Sequence, residues 1–175
     1  MLLELLISMV VLSVGLGGVL VLLITSIFTN GKAGNDTSST MVAEHVMEQI
    51  SGQPANSVDP LTVTDCAGTA WTVNTVGAAK ASGNGGSYGG NGAELTSSGV
   101  IDWTQDYGSV PDNYAMKYVA CGSGAKQITY DVRWDVITMS TFTRMIFVSA
   151  RPANSPENDG LRFVVPVQLR TIGGM

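Results

Sequence analysis

The chain has little charge, and the balance of that charge is acidic. Charged residues make up 13% of the 175 residues, with 9 Lys and Arg against 14 Asp and Glu and a formal net charge of -5. An average soluble domain has about 25% charged residues. Because nucleic-acid binding requires a basic surface that displaces counterions from phosphates, this composition argues against nucleic acid as a partner.

Metal-binding and nucleophilic residues are also scarce. The chain has one histidine, His45, and two cysteines, Cys66 and Cys121. The spacing of the cysteines fits no zinc-binding pattern, and no haem attachment motif occurs. His45 lies on the polar face of a predicted helix, where a histidine is usually solvated. We therefore predict neither an enzyme nor a protein with a metal ion or other cofactor.

One segment lacks charge altogether. No charged residue occurs from Leu5 to Phe28. At about 1.5 Å per residue, a helix of this length crosses the roughly 30 Å hydrocarbon layer of a bilayer with some tilt. A secretory signal sequence has a basic flank and a shorter apolar stretch, whereas the flank here carries Glu4. We predict an apolar helix over residues 1–29 that anchors the chain in a membrane, and a plain transmembrane anchor without further role is the alternative.

A second helical pattern follows an expected break. Val42, Val46 and Ile50 recur every four residues among polar side chains, which predicts an amphipathic helix over residues 38–51. Residues 30–36 are poor helix formers and good turn formers, so we expect a flexible joint there. Residues 37–175 are expected to form a globular headgroup that begins with the amphipathic helix.

Short extended runs begin after residue 54. Residues 128–136 alternate apolar and polar side chains, which predicts a strand with one buried face and one exposed face. The exposed face is expected to carry Asp131, Arg133 and Asp135. The bulky side chains Trp71, Trp103 and Trp134 are expected in the core rather than at a binding surface.

Further runs complete the predicted fold. Two strong strands are predicted at 141–150 and 161–171, and two weaker ones at 70–76 and 114–120. The strong strands extend the first one into a three-stranded antiparallel meander, in which Pro166 favours an edge position. The glycine-rich residues 78–92 are expected to be a surface loop. The predicted fold class is α+β, with a long apolar N-terminal α-helix, broken near 30–36, packed on an antiparallel β-sheet headgroup.

Two modifications are predicted in the polar part of the chain. An exported headgroup experiences an oxidising compartment, which favours one disulfide between Cys66 and Cys121. This bond ties the region after the amphipathic helix to the strand that precedes the meander. In addition, Asn35-Asp36-Thr37 is a glycan acceptor sequence, which makes Asn35 a candidate glycosylation site.

Glu4 is the most informative residue, because a carboxylate beside a long apolar helix is unfavourable in lipid unless something neutralises it. If the helices of several copies pack side by side with an axial offset, the α-amino group of one copy, at Met1, meets Glu4 of the next. A misplaced copy leaves a buried charge unpaired, so such a pair sets the register. The alternative is that Glu4 lies among the lipid headgroups and interacts with the helix dipole.

Small residues interrupt the apolar run. Ser13 and Gly17 form a small-xxx-small pair, and Gly15 and Gly18 widen the patch. Small residues let helix backbones approach closely. Each glycine also costs about 1 kcal/mol relative to alanine in a helix interior. We predict that this patch packs against other helices and lets the segment stretch or unwind in an assembly.

Residues 1–18, with the sequence MLLELLISMVVLSVGLGG, resemble the mature N-terminus of type IV pilins and pseudopilins. The resemblance implies that a leader is removed by prepilin peptidase, that the new N-terminal residue is methylated, and that Glu4 pairs with a neighbour's N-terminus during assembly. The family usually has Phe first and glutamate fifth, whereas this chain has Met1 and Glu4, and the proline common in that helix is absent. Over the headgroup the resemblance is architectural only.

The resemblance also implies a function. The chain is expected to be a structural subunit of an extracellular type IV pilus-like filament, a homo-oligomer assembled by bundling of N-terminal helices, with the pilus assembly machinery as a further partner. The subunit is expected in the inner membrane before assembly and in a cell-surface filament afterwards. A minor pilin or type II secretion pseudopilin, and a membrane-tethered binding domain, remain alternatives.

Overall fold

A computed structural model describes residues 2–80, 89–122, 127–153 and 165–174. Contacts among the described residues divide the chain into two compact units, Met1–Asn35 and Asp36–Met175. In chain order the elements are α1 (Leu2–Ser51), β1 (Leu61–Thr64), β2 (Ala70–Val73), β3 (Ala78–Ala79), β4 (Asn91–Gly92), a 3-10 turn (Tyr107–Ser109), β5 (Ala115–Cys121), β6 (Gln127–Ser140), β7 (Thr143–Pro152) and β8 (Val167–Gly173). The fold class is α+β, as predicted.

The predicted interruption of the helix near 30–36 is wrong. Helix α1 includes every residue from Leu2 to Ser51, although the boundary between the two compact units falls after Asn35, inside the expected joint. Asparagine and glycine are unfavourable in a helix by at most about 1 kcal/mol each. Helical turns on both sides supply the hydrogen-bond partners, so no new nucleation is required across this segment. The predicted end of the helix at residue 51 is confirmed.

The second unit has its core between the last part of α1 and the sheet. Val42, Ala43, Val46 and Ile50 are buried, and they belong to one hydrophobic cluster with the apolar residues of the sheet. This is the face that the four-residue spacing predicts. Trp134 is fully buried in the same cluster, and its indole N–H donates to the carbonyl oxygen of Asn74 at 2.9 Å.

Arg144 joins the sheet to the C-terminal end of α1. Its guanidinium donates to the carbonyl oxygens of Ile50, of Gln53 at 2.8 Å and of Thr75 at 3.1 Å. A cation at this end of a helix interacts favourably with the helix dipole and with carbonyl groups that have no partner inside the helix. Burial lowers the pKa of the Arg144 guanidinium, which is 1% exposed.

The main sheet is built around β6. Strands β6, β7 and β8 form the predicted antiparallel meander, and β5 pairs antiparallel with the other edge of β6. Residues 161–164 of the predicted third strand lie outside the described residues, and β8 begins at Val167. Among the described strands β8 pairs only with β7, so it is the edge strand that Pro166, the residue before it, indicates. Strands β1 and β2 form a separate antiparallel hairpin.

The glycine-rich residues 78–92 are not entirely a loop. Their two ends form strands β3 and β4, which pair with β6 in parallel and antiparallel directions respectively. Residues 81–88 lie outside the described part of the chain. At Gly92, which has a φ of +137°, an added Cβ would lie 2.2 Å from the carbonyl oxygen of Trp134. Glycine is therefore required here for close backbone approach, a use that a composition-based loop prediction does not detect.

The prediction that Asp131, Arg133 and Asp135 face solvent is wrong. These side chains are 2%, 2% and 3% exposed. Trp103 and Gln105, between β4 and β5, cover Arg133, whose guanidinium lies 4.6 Å from the Trp103 ring centroid and donates to the carbonyl oxygen of Gln105 at 2.6 Å. Gly90 lies against the carboxyl group of Asp135. Alternation along one strand shows which residues share a face, but it does not show whether a distant segment covers that face.

The disulfide between Cys66 and Cys121 is present, with a Cα–Cα distance of 5.9 Å. It connects the turn of the β1–β2 hairpin to the last residue of β5. The backbone supports the same junction, because the amide of Cys66 donates to the carbonyl oxygen of Val119 at 3.2 Å. The hairpin is thereby fastened to the edge of the main sheet.

Candidate functional site

The candidate assembly surface is the apolar segment, residues 3–28 of α1. Every large hydrophobic side chain in it is between 51% and 74% exposed. Helix α1 has the length and composition to cross a membrane, and none of its most apolar window is buried within the described chain. The segment therefore presents an uncovered apolar surface on all sides, whereas residues 42–50 of the same helix bury one face.

Four hydroxyl groups in and next to this segment are satisfied within the helix. The side chains of Ser8, Ser13, Thr25 and Thr29 donate to backbone carbonyl oxygens three or four residues earlier, at 2.7–2.9 Å. Such bonds remove the need for water or for a polar partner. These four residues are thus compatible with an apolar environment, whereas the charged side chain of Glu4 is not.

Glu4 is exposed in the first turn of α1. It is the one charged residue in the first 31 positions of the sequence. Among the residues that the structure describes, none forms an ion pair with its carboxylate. Met1, the predicted source of the amine partner, lies outside the described residues. The role of both residues in assembly stays a prediction.

No packing contact among the described residues requires glycine at the three glycine positions of the apolar segment. An added Cβ at Gly15, Gly17 or Gly18 would meet no atom within 4 Å. Their backbone is helical, so no unusual conformation requires glycine at these positions. Each still costs about 1 kcal/mol relative to alanine, a cost that a benefit from outside the described chain would offset. Close approach of another helix supplies such a benefit.

Continuity of the helix divides the small residues into two groups. At about 100° per residue, Gly15 and Gly18 lie within roughly 40° of Glu4 around the helix axis. Ser13 and Gly17 lie on the opposite side, roughly 140–180° from Glu4. The sequence prediction of one widened patch is thus refined to two faces, each with a pair of small residues. A helix with two such faces can contact neighbours on both sides.

The headgroup contains a carboxylate that sequence reasoning missed. Asp65 accepts hydrogen bonds from the amides of Ala67 at 3.0 Å and Thr69 at 2.8 Å, and from the indole of Trp71 at 3.1 Å. Burial alone raises the pKa of Asp65, but these bonds and a weaker one from the amide of Val119 outweigh it and lower the pKa below its usual value. In the sequence, the signal that could have identified Asp65 is its position in a turn next to Cys66. Asp65 orders the hairpin turn that carries the disulfide.

A cluster of cations and aromatic rings surrounds Asp131 and Arg133 on β6. The indole ring of Trp103 has the guanidinium of Arg133 at 4.6 Å and that of Arg151 at 4.3 Å from its centroid. Asp131 pairs with Arg133 at 3.1 Å and with Lys117 at 3.1 Å. The buried charges of Asp131 and Arg133 therefore compensate each other within the described chain.

One other predicted site, Asn35, and the one histidine of the sequence, His45, have the following surroundings. Asn35 is part of α1 and is half-buried, so its glycosylation stays a prediction on a helical position. The ring of His45 lies 6.1 Å from that of Tyr118, centroid to centroid. Among the described residues no group of three or more His, Cys, Asp or Glu could hold a metal ion.

A comparison with protein-family models, with curated proteins and with solved structures found no match. A functional proposal therefore depends on the surface of α1 and on the self-contained headgroup.

Proposed function

We propose that the protein is a structural subunit of an extracellular type IV pilus-like filament, whose core is a bundle of the apolar segments of many copies. The observation that carries this proposal is the apolar segment itself. It is uncovered on all sides and has small residues on two opposite faces. A plain membrane anchor requires the apolar surface, but it gains nothing from glycines that weaken the helix.

The energetics favour burial of this segment against lipid or other helices. Full burial of a Leu, Val or Ile side chain contributes about 1.5–3 kcal/mol, and the segment exposes many of them. In a bilayer this term is already satisfied, so it does not bring helices together there. Close backbone contact at the small residues and neutralisation of Glu4 are the interactions that an assembly adds.

In this proposal Glu4 sets the axial offset between neighbouring copies. An axially offset neighbour places its N-terminal amine beside the Glu4 carboxylate, inside an apolar bundle. Breaking such a buried pair by removing one partner typically costs about 3–5 kcal/mol, because it leaves the other charge uncompensated. Copies with a different axial offset are therefore strongly disfavoured, and all neighbouring copies in the filament have the same offset.

The headgroup is suited to the outside of such a filament. Its core, its disulfide and the Arg144 contacts with the end of α1 all lie within Asp36–Met175. It can therefore fold before assembly, while the apolar segment is in the inner membrane. By the family resemblance, prepilin peptidase and the pilus assembly machinery act at that stage.

The test is a Glu4→Ala variant expressed in the native host. We expect the headgroup to remain folded and disulfide-bonded while filaments visible by electron microscopy of sheared surface material disappear. Glu44→Ala is the matched control, since Glu44 is an exposed glutamate in the polar part of the same helix. This control should form normal filaments.

Two results would contradict the proposal. One is a normal filament yield from Glu4→Ala. The other is a full-length wild-type protein that is always solitary in the bilayer and never polymerises, which would instead identify a membrane-tethered binding domain. Mass spectrometry of the filaments distinguishes a repeating subunit from a minor one by the amount of this chain they contain.

A further inference from the structure

Asp135 is a buried carboxylate with an incomplete set of hydrogen bonds. It lies at the centre of β6, on the same face as Asp131 and Arg133, and it is 3% exposed. Within the described part of the chain no group donates a hydrogen bond to its buried Oδ1 atom. Burial raises the pKa of Asp135 to about 7. The site is therefore more favourable for the neutral acid than for the carboxylate.

The backbone of residues 89–92 lies directly over this group. At Gly90, which has a φ of +109°, an added Cβ would be 2.2 Å from Oδ1 of Asp135. Gly92 is the partner of Asp135 in the β4–β6 ladder, and the amide of Ala93 donates to the carbonyl oxygen of Trp134 at 2.9 Å. Strand β4 is only two residues long. Besides its ladder, the side-chain amide of Asn91 holds the cover by donating to the phenol oxygen of Tyr114 at 2.7 Å and to the carbonyl oxygen of Val76 at 3.3 Å.

We propose that residues 89–92 are a pH-sensitive cover, which is closed over the protonated side chain of Asp135 and is released when that side chain ionises. The physical reason is that a buried, incompletely bonded carboxylate is strongly unfavourable. Water reaches Asp135 if the short β4 ladder opens, and this requires the loss of far fewer contacts than unfolding of the meander.

The neighbouring charges do not compensate an ionised Asp135. On β6, Arg133 shares its face, but the guanidinium already binds Asp131 and the carbonyl oxygen of Gln105. On β7 the partner of Asp135 is Phe147, which has no charge.

The remaining titratable groups belong to elements around the cover. The phenol of Tyr114 has its pKa raised to about 12 by burial and by Asp135, so it stays neutral and brings no charge. Glu94 and Lys80, which flank the cover in the fold, are exposed to solvent. Solvent therefore screens their effect on the buried carboxylate.

The direction of the pH dependence follows from linkage. The closed form binds a proton more tightly than the open form, in which Asp135 is hydrated and has an ordinary pKa near 3.8. Opening therefore becomes more favourable as the pH rises from about 4 to about 7, and it levels off above that. Between pH 5 and pH 7 the open population is expected to rise about 50-fold.

Amide hydrogen exchange on the full-length protein in detergent micelles tests this inference. The protection factor of the Ala93 amide, corrected for the intrinsic exchange rate, should fall by about 50-fold between pH 5 and pH 7. Amides of the β6–β7 ladder should keep their protection. In Asp135→Asn, which cannot ionise, the protection of Ala93 should be independent of pH. Asp112→Asn, at an exposed aspartate between β4 and β5, is the matched control and should behave like the wild type.

Carbon-13 NMR titration of the Asp135 carboxyl in the wild-type protein gives a second readout that does not depend on a variant. A midpoint near 7 supports the inference, and a midpoint near 4 overturns it. Protection of Ala93 that falls equally in Asp135→Asn also overturns it. So does a parallel loss of protection in the β6–β7 ladder, because the whole headgroup would then respond instead of the cover.

Discussion

The two ends of α1 differ in the environment of their hydrophobic side chains, although they belong to one continuous helix. Between residues 3 and 28 its large hydrophobic side chains are at least 51% exposed, whereas Val46 and Ile50 are fully buried. The first part has apolar residues on every face, and the second has them on one face only. Hydrophobic side chains in the second part stabilise the chain's own fold, and those in the first part can act only on lipid or on another molecule.

The glycines of the two regions differ in the same way. In the apolar segment Gly15, Gly17 and Gly18 have open space where a side chain would be. In the headgroup, Gly90 and Gly92 lie so close to β6 that a Cβ would overlap it. A glycine that the fold requires can be recognised because neighbouring atoms leave no space for a Cβ. A glycine that has such space, in a helix that it weakens, is typical of a helix that packs closely against another molecule.

The largest expected effect is on the buried core. Trp134→Ala should lower the free energy of unfolding of the headgroup by about 3–5 kcal/mol, because it leaves a cavity in a fully packed site. Leu12→Ala, at a side chain that is 65% exposed, should change the same quantity by less than about 0.5 kcal/mol. Urea unfolding of the full-length proteins in detergent, followed by circular dichroism, measures both. Equal destabilisation by the two variants would contradict the conclusion that only the headgroup residues contribute to the core.

The disulfide should separate the two regions further. Replacing both Cys66 and Cys121 by serine removes a cross-link between positions 55 residues apart. It should destabilise the headgroup by about 4 kcal/mol on the chain-entropy model. The helical signal of the detergent-bound apolar segment should remain when the headgroup unfolds.

Unfolding in the presence of a reductant is the control for the double cysteine variant. Reduction of the wild-type protein should reproduce the destabilisation, and it should have no effect on the double variant. Two alkylatable thiols in untreated, unreduced protein would show that the bond does not form.

The smallest expected effect concerns the glycines of the apolar segment. Gly17→Ala should stabilise α1 in detergent by about 1 kcal/mol and leave headgroup unfolding unchanged, since no atom opposes the added methyl group. The same variant should reduce filament yield if close helix contact occurs there. Gly92→Ala is the contrasting variant and should destabilise the headgroup. Hydrogen exchange in α1 and electron microscopy measure the two effects of Gly17→Ala, and unchanged filaments would remove this face from the proposed interface.

Much of the fold could be predicted from local patterns. The four-residue spacing of Val42, Val46 and Ile50 identified the buried face of the helix, and alternation identified β6. The bond between Cys66 and Cys121 followed from the presence of only two cysteines and an export context. Each of these signals is contained in a short stretch or in the composition, so it does not depend on distant contacts.

Other features could not be predicted, for a physical reason that they share. Asp131, Arg133 and Asp135 have the alternation of an exposed face, and only the segment that folds over them from elsewhere in the chain makes them buried. Arg144 gave no local signal, because its partners at Ile50 and Gln53 are about ninety residues away. Residues 30–36 have poor helix propensity, but helical turns on both sides carry the helix through them.

The sequence by itself determined that the chain has an apolar helix with Glu4 at its start, an amphipathic continuation and a β-rich headgroup with one disulfide. These follow from periodicity and composition, which act between near neighbours. The tertiary structure alone decided which charges are buried and that Gly90 lies over Asp135. Burial and close approach depend on segments far apart in the chain, and no local pattern records which of them will meet.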